Sequence, residues 1–199
     1  MGHVVLDITM SLDGFVTAPN DGPSAGLGEN GEVLHYWVFG GPWTYDAPHT
    51  PAQTGADKQV LDEVAQAGAA VMGRRTYDIV DGWGGNPPLG IPCVVVTHRV
   101  NDAPDPATGF VFVNGIESAV ERAQQIAGDK DVYVGGGASV AQQALQARLV
   151  ETLNIHVAPV ILGAGRQLFG ELGSRLRLEC TRVLDSPYAT HIQYRVLSY

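Results

Sequence analysis

The chain has 199 residues, 45% of them apolar and 17% charged, the balance of a folded globular protein of one large domain or two small ones. Its formal net charge of −9 argues against a nucleic-acid surface and against an anionic membrane as partners. Cys93 and Cys180 both fall in strand-like runs and are expected as buried thiols rather than a disulfide framework. With no leader pattern and no apolar run long enough to cross a bilayer, a cytoplasmic location is the default expectation.

In chain order, residues 3–10 read as a first strand leading into Ser11-Leu12-Asp13-Gly14-Phe15, where Asp-Gly marks a turn. Residues 18–55 are rich in Gly, Pro and Asn, yet carry Tyr36, Trp37, Phe39, Trp43 and Tyr45. That aromatic content predicts an ordered loop rather than disorder, with one helical turn near Val33–Val38. Val60, Leu61, Val64 and Ala67 recur at helical spacing and predict a helix over 57–67. A strand at 69–73 and a short helix over 76–80 follow. Residues 92–97 and 110–113 read as buried strands, and Ile116, Ala119, Val120 and Ala123 form a helical stripe closed by Gly128. A strand at 131–135 leads to a helix at about 139–148.

From Glu151 the pattern changes. Leu153, Ile155 and Val157 alternate with Thr152, Asn154 and His156, which predicts a half-buried strand. Residues 176–184 and 189–198 alternate around Asp185-Ser186-Pro187 and predict a terminal antiparallel hairpin. The fold class implied is α/β, a mixed and mainly parallel sheet with helices on both faces, in one domain spanning 1–199.

Two strand-to-helix junctions carry glycine: Gly73-Arg74-Arg75-Thr76 and Gly135-Gly136-Gly137-Ala138-Ser139-Val140. Such junctions offer backbone N–H groups and a positive helix end to an anion, and two of them can grip the two ends of a nucleotide. The basic residues of the first hundred positions are Lys58, Arg74, Arg75 and Arg99, and three of these follow strand ends. Arg74 is therefore a candidate for a ribose 2′-phosphate, although a helix start with two solvated arginines fits the same letters. Ser139 with Gln142 reads as a capping box whether or not phosphate binds. Thr97-His98-Arg99 is either an adenosine-phosphate loop or a polar strand end. Asp57 reads as part of a Thr54-x-x-Asp57 cap, with a shielded catalytic carboxylate as the alternative. Asp13-Gly14 is a substrate-side position or a simple turn. The histidines and cysteines show no ligand spacing, so no metal is expected.

Five segments in order resemble the dihydrofolate reductase-like superfamily, and within it the reductase domain of riboflavin biosynthesis. They are Met10-Ser11-Leu12-Asp13-Gly14, Val71-Met72-Gly73-Arg74-Arg75-Thr76-Tyr77, Val95-Val96-Thr97, Val134-Gly135-Gly136-Gly137, and Ala158-Pro159-Val160-Ile161-Leu162-Gly163-Ala164-Gly165 with Leu168-Phe169. The resemblance implies an eight-stranded mixed sheet that binds NADPH at Gly73 through Thr76, Thr97 to Arg99 and Gly135 through Val140. Counted back from Met72, Asp57 lies where dihydrofolate reductases place their acidic residue. Asp13, Gly14, Trp37, Gly163 and Gly165 are the implied substrate side. The reaction implied is reduction of a pyrimidine- or pterin-like substrate, as by 5-amino-6-(5-phosphoribosylamino)uracil reductase. A true dihydrofolate reductase and a non-catalytic nucleotide-binding module are the alternatives. A homodimer through the last strands and the aromatic loop is the expected assembly.

Overall fold

The structure is a computed structural model that describes residues 2–170, 172–173 and 175–198. Its strands are β1 (Val4–Ser11), β2 (Phe15–Thr17), β3 (Ala69–Gly73), β4 (Cys93–Val96), β5 (Phe110–Val113), β6 (Val132–Gly136), β7 (Thr152–Ala158), β8 (Arg166–Gln167), β9 (Arg177–Asp185) and β10 (Thr190–Ser198). The helices are α1 (Tyr36–Phe39), α2 (Gly55–Val64), α3 (Arg74–Ile79), α4 (Ile116–Ala127) and α5 (Ala138–Gln146). Eight strands form one sheet in the order β5-β4-β3-β6-β1-β7-β10-β9, and β2 pairs with β8 beside it. From β5 to β7 all neighbours are parallel, and β10 runs antiparallel between β7 and β9. The expected mixed sheet and terminal hairpin are therefore observed.

Period-two alternation decides what each face meets. Val4, Leu6 and Ile8 of β1, Val71 of β3, Val132 and Val134 of β6, and Leu153 and Ile155 of β7 share one face. There α4 and α5 lay Ala119, Ala123, Ala141 and Ala144 against the sheet. The small side chains let the helices approach closely. On the other face α2 presents Val60, Leu61 and Val64 to Trp37, Ala189, Leu184 and Tyr188. Towards the β5 edge the same sheet carries Met72, Cys93, Val95, Phe110 and Phe112 beneath Tyr77 and Trp83.

Three expectations change. The helix expected over 57–67 starts and stops earlier, because Gly55 at φ +73 turns the chain into it. The strand expected to be half-buried is covered on both faces: Asn154 and His156 of β7 are 8% and 2% exposed, since α2 roofs their side. Cys93 is buried, with its thiol pushed up to about 12 by desolvation, but Cys180 is exposed on the edge strand β9. Among the described residues no helix is long and apolar enough to cross a membrane.

Candidate active site

A cleft of about 1250 Å³ opens at the carboxyl ends of β1, β3, β4 and β6, where open α/β sheets place ligands. It is lined by Gly73, Arg74, Arg75 and Thr76, by Thr97, His98 and Arg99, and by Gly135, Gly136, Gly137, Ala138, Ser139 and Val140. The whole cofactor-side set named from the sequence thus meets in one cavity.

The two glycine junctions lie side by side rather than at opposite ends of a ligand, because β3 and β6 are neighbours. A Cβ on Gly137 would lie 3.3 Å from Thr76 Oγ1, and one on Gly136 only 2.7 Å from Met72 Cβ. The three glycines therefore do different things. Gly136 lets β3 and β6 close on each other, Gly137 turns into α5 at φ +80, and exposed Gly135 leaves the cleft side clear. Ala138 and Val140 bury their side chains, so they face a ligand with backbone alone. The expected capping box is absent: α5 begins at Ala138 after Gly137, and Ser139 Oγ accepts from Gln143 Nε2. Gln142 instead donates to the Gln167 and Leu168 carbonyls, tying α5 to β8.

Every arginine of the cleft is already paired. Arg74 Nε donates to Asp78 at 2.6 Å and its Nη1 to Asp102 at 3.3 Å, while its guanidinium lies 5.0 Å over the Phe112 ring. Arg99 reaches Asp78 at 3.1 Å, and Thr97 Oγ1 accepts from the Arg99 backbone N–H. Arg75 and Arg166 both converge on Asp21, whose carboxylate is 9% exposed and held below its usual range by the two guanidinium groups despite burial. His98 shares a hydrogen bond with Asn114 at 2.8 Å.

The substrate-side candidates divide. Trp37 and Gly165 line the cleft, whereas Asp13, Gly14 and Gly163 are not among its lining residues. Asp13 is a clasp: Ser11 Oγ donates to its Oδ1, as does the Leu162 backbone N–H, and Gly163 N–H donates to its Oδ2. The Ser11 hydroxyl chiefly holds that carboxyl below its usual range. Trp37 spends its Nε1–H on Thr9 Oγ1 and packs its ring 4.5 Å from His156 and 5.0 Å from His191. Phe39, Trp43, Tyr45 and His49 pack edge-to-face or tilted against one another as an aromatic wall along the cleft.

Asp57 does not cap α2 as part of a box. Thr54 makes no side-chain cap, and Asp57 is 6% exposed with Oδ1 2.9 Å from His191 Nε2. His191 Nδ1 meets His156 Nδ1 at 2.8 Å, and His156 Nε2 meets Asp7 Oδ1 at 3.2 Å. Asp7 lines the cleft and Asp57 does not, so the carboxylate at the floor comes from β1. Asn154 Nδ2 donates to the other Asp7 oxygen.

Asp7, Thr9, His35, Tyr133, Asp21 and Arg166 line the cleft without having been singled out from the sequence. Asp7 carried a signal: it is the one charged residue of a mostly apolar strand. Asp21 and Arg166 carried none, since 145 positions separate them.

A mixed sheet of this strand order, with a cleft above its carboxyl ends, a glycine-turned helix start on one side and a half-buried carboxylate at the floor, is a dihydrofolate reductase-like fold. The chain belongs to the RibD C-terminal domain family, whose model matches residues 2–192. A curated relative, the uncharacterized protein YyaP of Bacillus subtilis, is 25% identical over 92% of this chain and 90% of its own. A putative riboflavin biosynthesis protein from Shewanella sp. PV-4 superposes with a TM-score of 0.70 at 22% identity, with both chains fully covered. Acinetobacter baumannii RibD aligns with all of this chain and 59% of its own length, at a TM-score of 0.65 and 17% identity. Dihydrofolate reductase from Enterococcus faecalis, complexed with NADP(H) and RAB-propyl, aligns at 0.63 and 14% identity, over 98% of this chain and 97% of its own.

Two outcomes follow for the folded protein. Gly136→Ala should lower stability by about 1–3 kcal/mol through overpacking between β3 and β6, whereas Gly135→Ala should melt near the parent temperature. Equal melting of the two variants would contradict the division of roles. Burial, with a smaller repulsion from His156, pushes His35 down to about 4, and burial likewise lowers His191. Between the ordinary histidine value and about 4, the unfolded chain binds protons that the folded chain refuses. Stability should therefore fall as pH drops through that window. Exposed His3, raised by Glu151, acts in the opposite sense. Melting curves at stepped pH should show the fall, with a shallower slope in His35→Gln.

Proposed function

We propose that this protein is a cytoplasmic NADPH-dependent reductase of a small, flat nitrogen heterocycle, resembling 5-amino-6-(5-phosphoribosylamino)uracil reductase in its reaction. One observation carries the reading: a single cleft joins the glycine-turned start of α5 to a floor bearing Asp7 and a wall of aromatic rings. Single-ligand clefts run to about 300–1000 Å³, and this one is larger, as two bound reactants require. Holding both together supplies much of the rate.

The residues fit a dinucleotide. Gly135, Gly137, Ala138, Ser139 and Thr76 would hold the pyrophosphate with backbone and hydroxyl groups, and Arg74, Arg99 and His98 the adenosine phosphate. The bound cofactor would supply hydride. Trp37, Gly165 and the aromatic wall would hold the acceptor. For a pterin, the reading of a true dihydrofolate reductase, the carboxylate within reach is Asp7 rather than Asp57. A homodimer joined along β9 is supported by that strand's unpaired outer edge and by exposed Leu178 and Val183 on it; sedimentation as a monomer would count against it.

NADPH at about 100 times its dissociation constant should raise the melting temperature by about 5–10 °C. No shift at millimolar NADPH removes both enzyme readings, and a shift without NADPH oxidation by any pyrimidine, pterin or carbonyl acceptor favours the binding module. Arg74→Ala should weaken NADPH binding about tenfold more than NADH binding, because a charge-assisted hydrogen bond is lost only with the phosphate-bearing cofactor. An equal loss for both would mean Arg74 does not read the 2′-phosphate.

A further inference from the structure

The Asp57–His191–His156–Asp7 chain has three contacts between four titratable groups, and each contact needs one proton. An ionised Asp57 can only accept, so His191 Nε2 carries the proton and donates. His191 Nδ1 is then a lone pair that accepts from His156 Nδ1–H. His156 Nε2 is left as a base facing Asp7 Oδ1. With both carboxylates ionised and both rings neutral, two protons serve three contacts. The missing third proton belongs between His156 and Asp7, at the cleft floor.

The surroundings favour that placement. The side chains of Asp57, His191 and His156 are 9%, 4% and 3% exposed, and Asp57 lies off the cleft that Asp7 lines, so an unsatisfied contact costs more at the Asp57 end. Burial, then repulsion from an extra proton on His156, lowers His191 against the opposing pull of Asp57 and Asp7, which keeps the extra proton off that ring. The other titratable and charged groups packed around the chain are His35 beside His156, Tyr133 beside Asp7, and the Glu63–Arg182 ion pair near His191. His35 stays neutral near pH 7, Tyr133 is pushed up by burial and by Asp7, and Glu63 and Arg182 neutralise each other.

We propose that Asp7 is the catalytic acid of this site, sharing one proton with His156, and that Asp57 is a positioning residue that acts through His191 and His156 to hold that proton at the cleft. The inference rests on the reductase reading, in which a bound reduced nicotinamide dinucleotide would supply hydride to a C=N or C=O carbon of the acceptor. The displaced π-electron pair goes to the nitrogen or oxygen. Asp7 gives its proton to that atom, its O–H bond breaking as the new N–H or O–H bond forms, and remains as the carboxylate. Water entering the cleft restores the proton to the Asp7–His156 contact. Asp57 never touches the acceptor; it fixes both ring tautomers, the role a carboxylate plays behind a catalytic histidine, extended by one ring.

The test pairs nitrogen-edited NMR of the histidine rings in the ligand-free protein with the pH profile of NADPH oxidation, using 5-amino-6-(5-phosphoribosylamino)uracil as acceptor. The parent protein should show His191 protonated at Nε2 and His156 at Nδ1. In Asp57→Asn the amide can also donate, so the His191 tautomer should switch, kcat should fall about 10²-fold with little change in KM, and the pH profile should shift. Asp7→Asn should keep both tautomers and lose turnover to a similar extent. A folded Asp57→Asn protein with parent tautomers and pH profile overturns the proposal. If that variant does not fold, Asp7→Asn decides: turnover with the parent pH profile overturns the proposal. A parent protein with the expected tautomers that neither binds nor oxidises NADPH brings down the reductase reading, and the role of Asp7 with it, an outcome distinct from the other two.

Discussion

Burying Asp57 and two imidazoles in line with the half-buried Asp7 is costly unless every polar atom finds a partner, and that requirement organises the centre of this fold. It sets the register of β7 against β1, which brings His156 to Asp7, and of β10 against β7, which places His191 directly opposite His156. It sets the position of α2, which must deliver Asp57 to the far end. It also draws in Trp37, whose ring closes over both imidazoles while its N–H is taken by Thr9. A one-residue slip of β10 would turn His191 to the opposite face and strand Asp57 in the interior. The aromatic segment before α2 is therefore a structural roof as well as a wall of the cleft.

The architecture was legible because its signals are local. Val4, Leu6 and Ile8 on β1, the helical stripe of α4 and the β9–β10 hairpin each announce themselves within a few residues, and their order implies the sheet. The glycine junctions were legible for the same reason, down to the residues that line the cleft. Their division of labour was not, since the need for glycine at 136 comes from Met72 on a strand sixty-odd positions earlier. Capping patterns misled twice. Thr54–Asp57 and Ser139–Gln142 have the right spacing, but Asp57 and Gln142 are claimed by His191 and by the β8 backbone. Tertiary partners outcompeted a local bond worth about 1 kcal/mol.

The polar layer was illegible for a related reason. Alternation along 152–157 reads as apolar inside and polar outside, the usual rule for a strand with one wet face. Asn154 and His156 fit that pattern, yet α2 covers them. A sequence reports that a face is polar; whether the face meets water or a set of matching partners depends on residues as distant as Asp7 and His191.

The paired arginines bear on how this cleft chooses its ligands. Arg74 and Arg99 share Asp78 and Asp102, and Arg75 and Arg166 share Asp21. A phosphate arriving at either place does not meet a bare cation. It exchanges with a carboxylate, so the energy gained is the difference between two charge-assisted contacts and not the full value of one. Selectivity then depends on what each carboxylate loses. Asp78 and Asp102 sit 44% and 48% exposed and can be solvated when displaced, which makes that exchange cheap. Asp21 is 9% exposed and holds the aromatic segment to α3 and β8, so displacing it would strand a buried charge and loosen the wall. The two arginine pairs are thus unequal: exchange with an incoming anion costs less at exposed Asp78 and Asp102 than at buried Asp21.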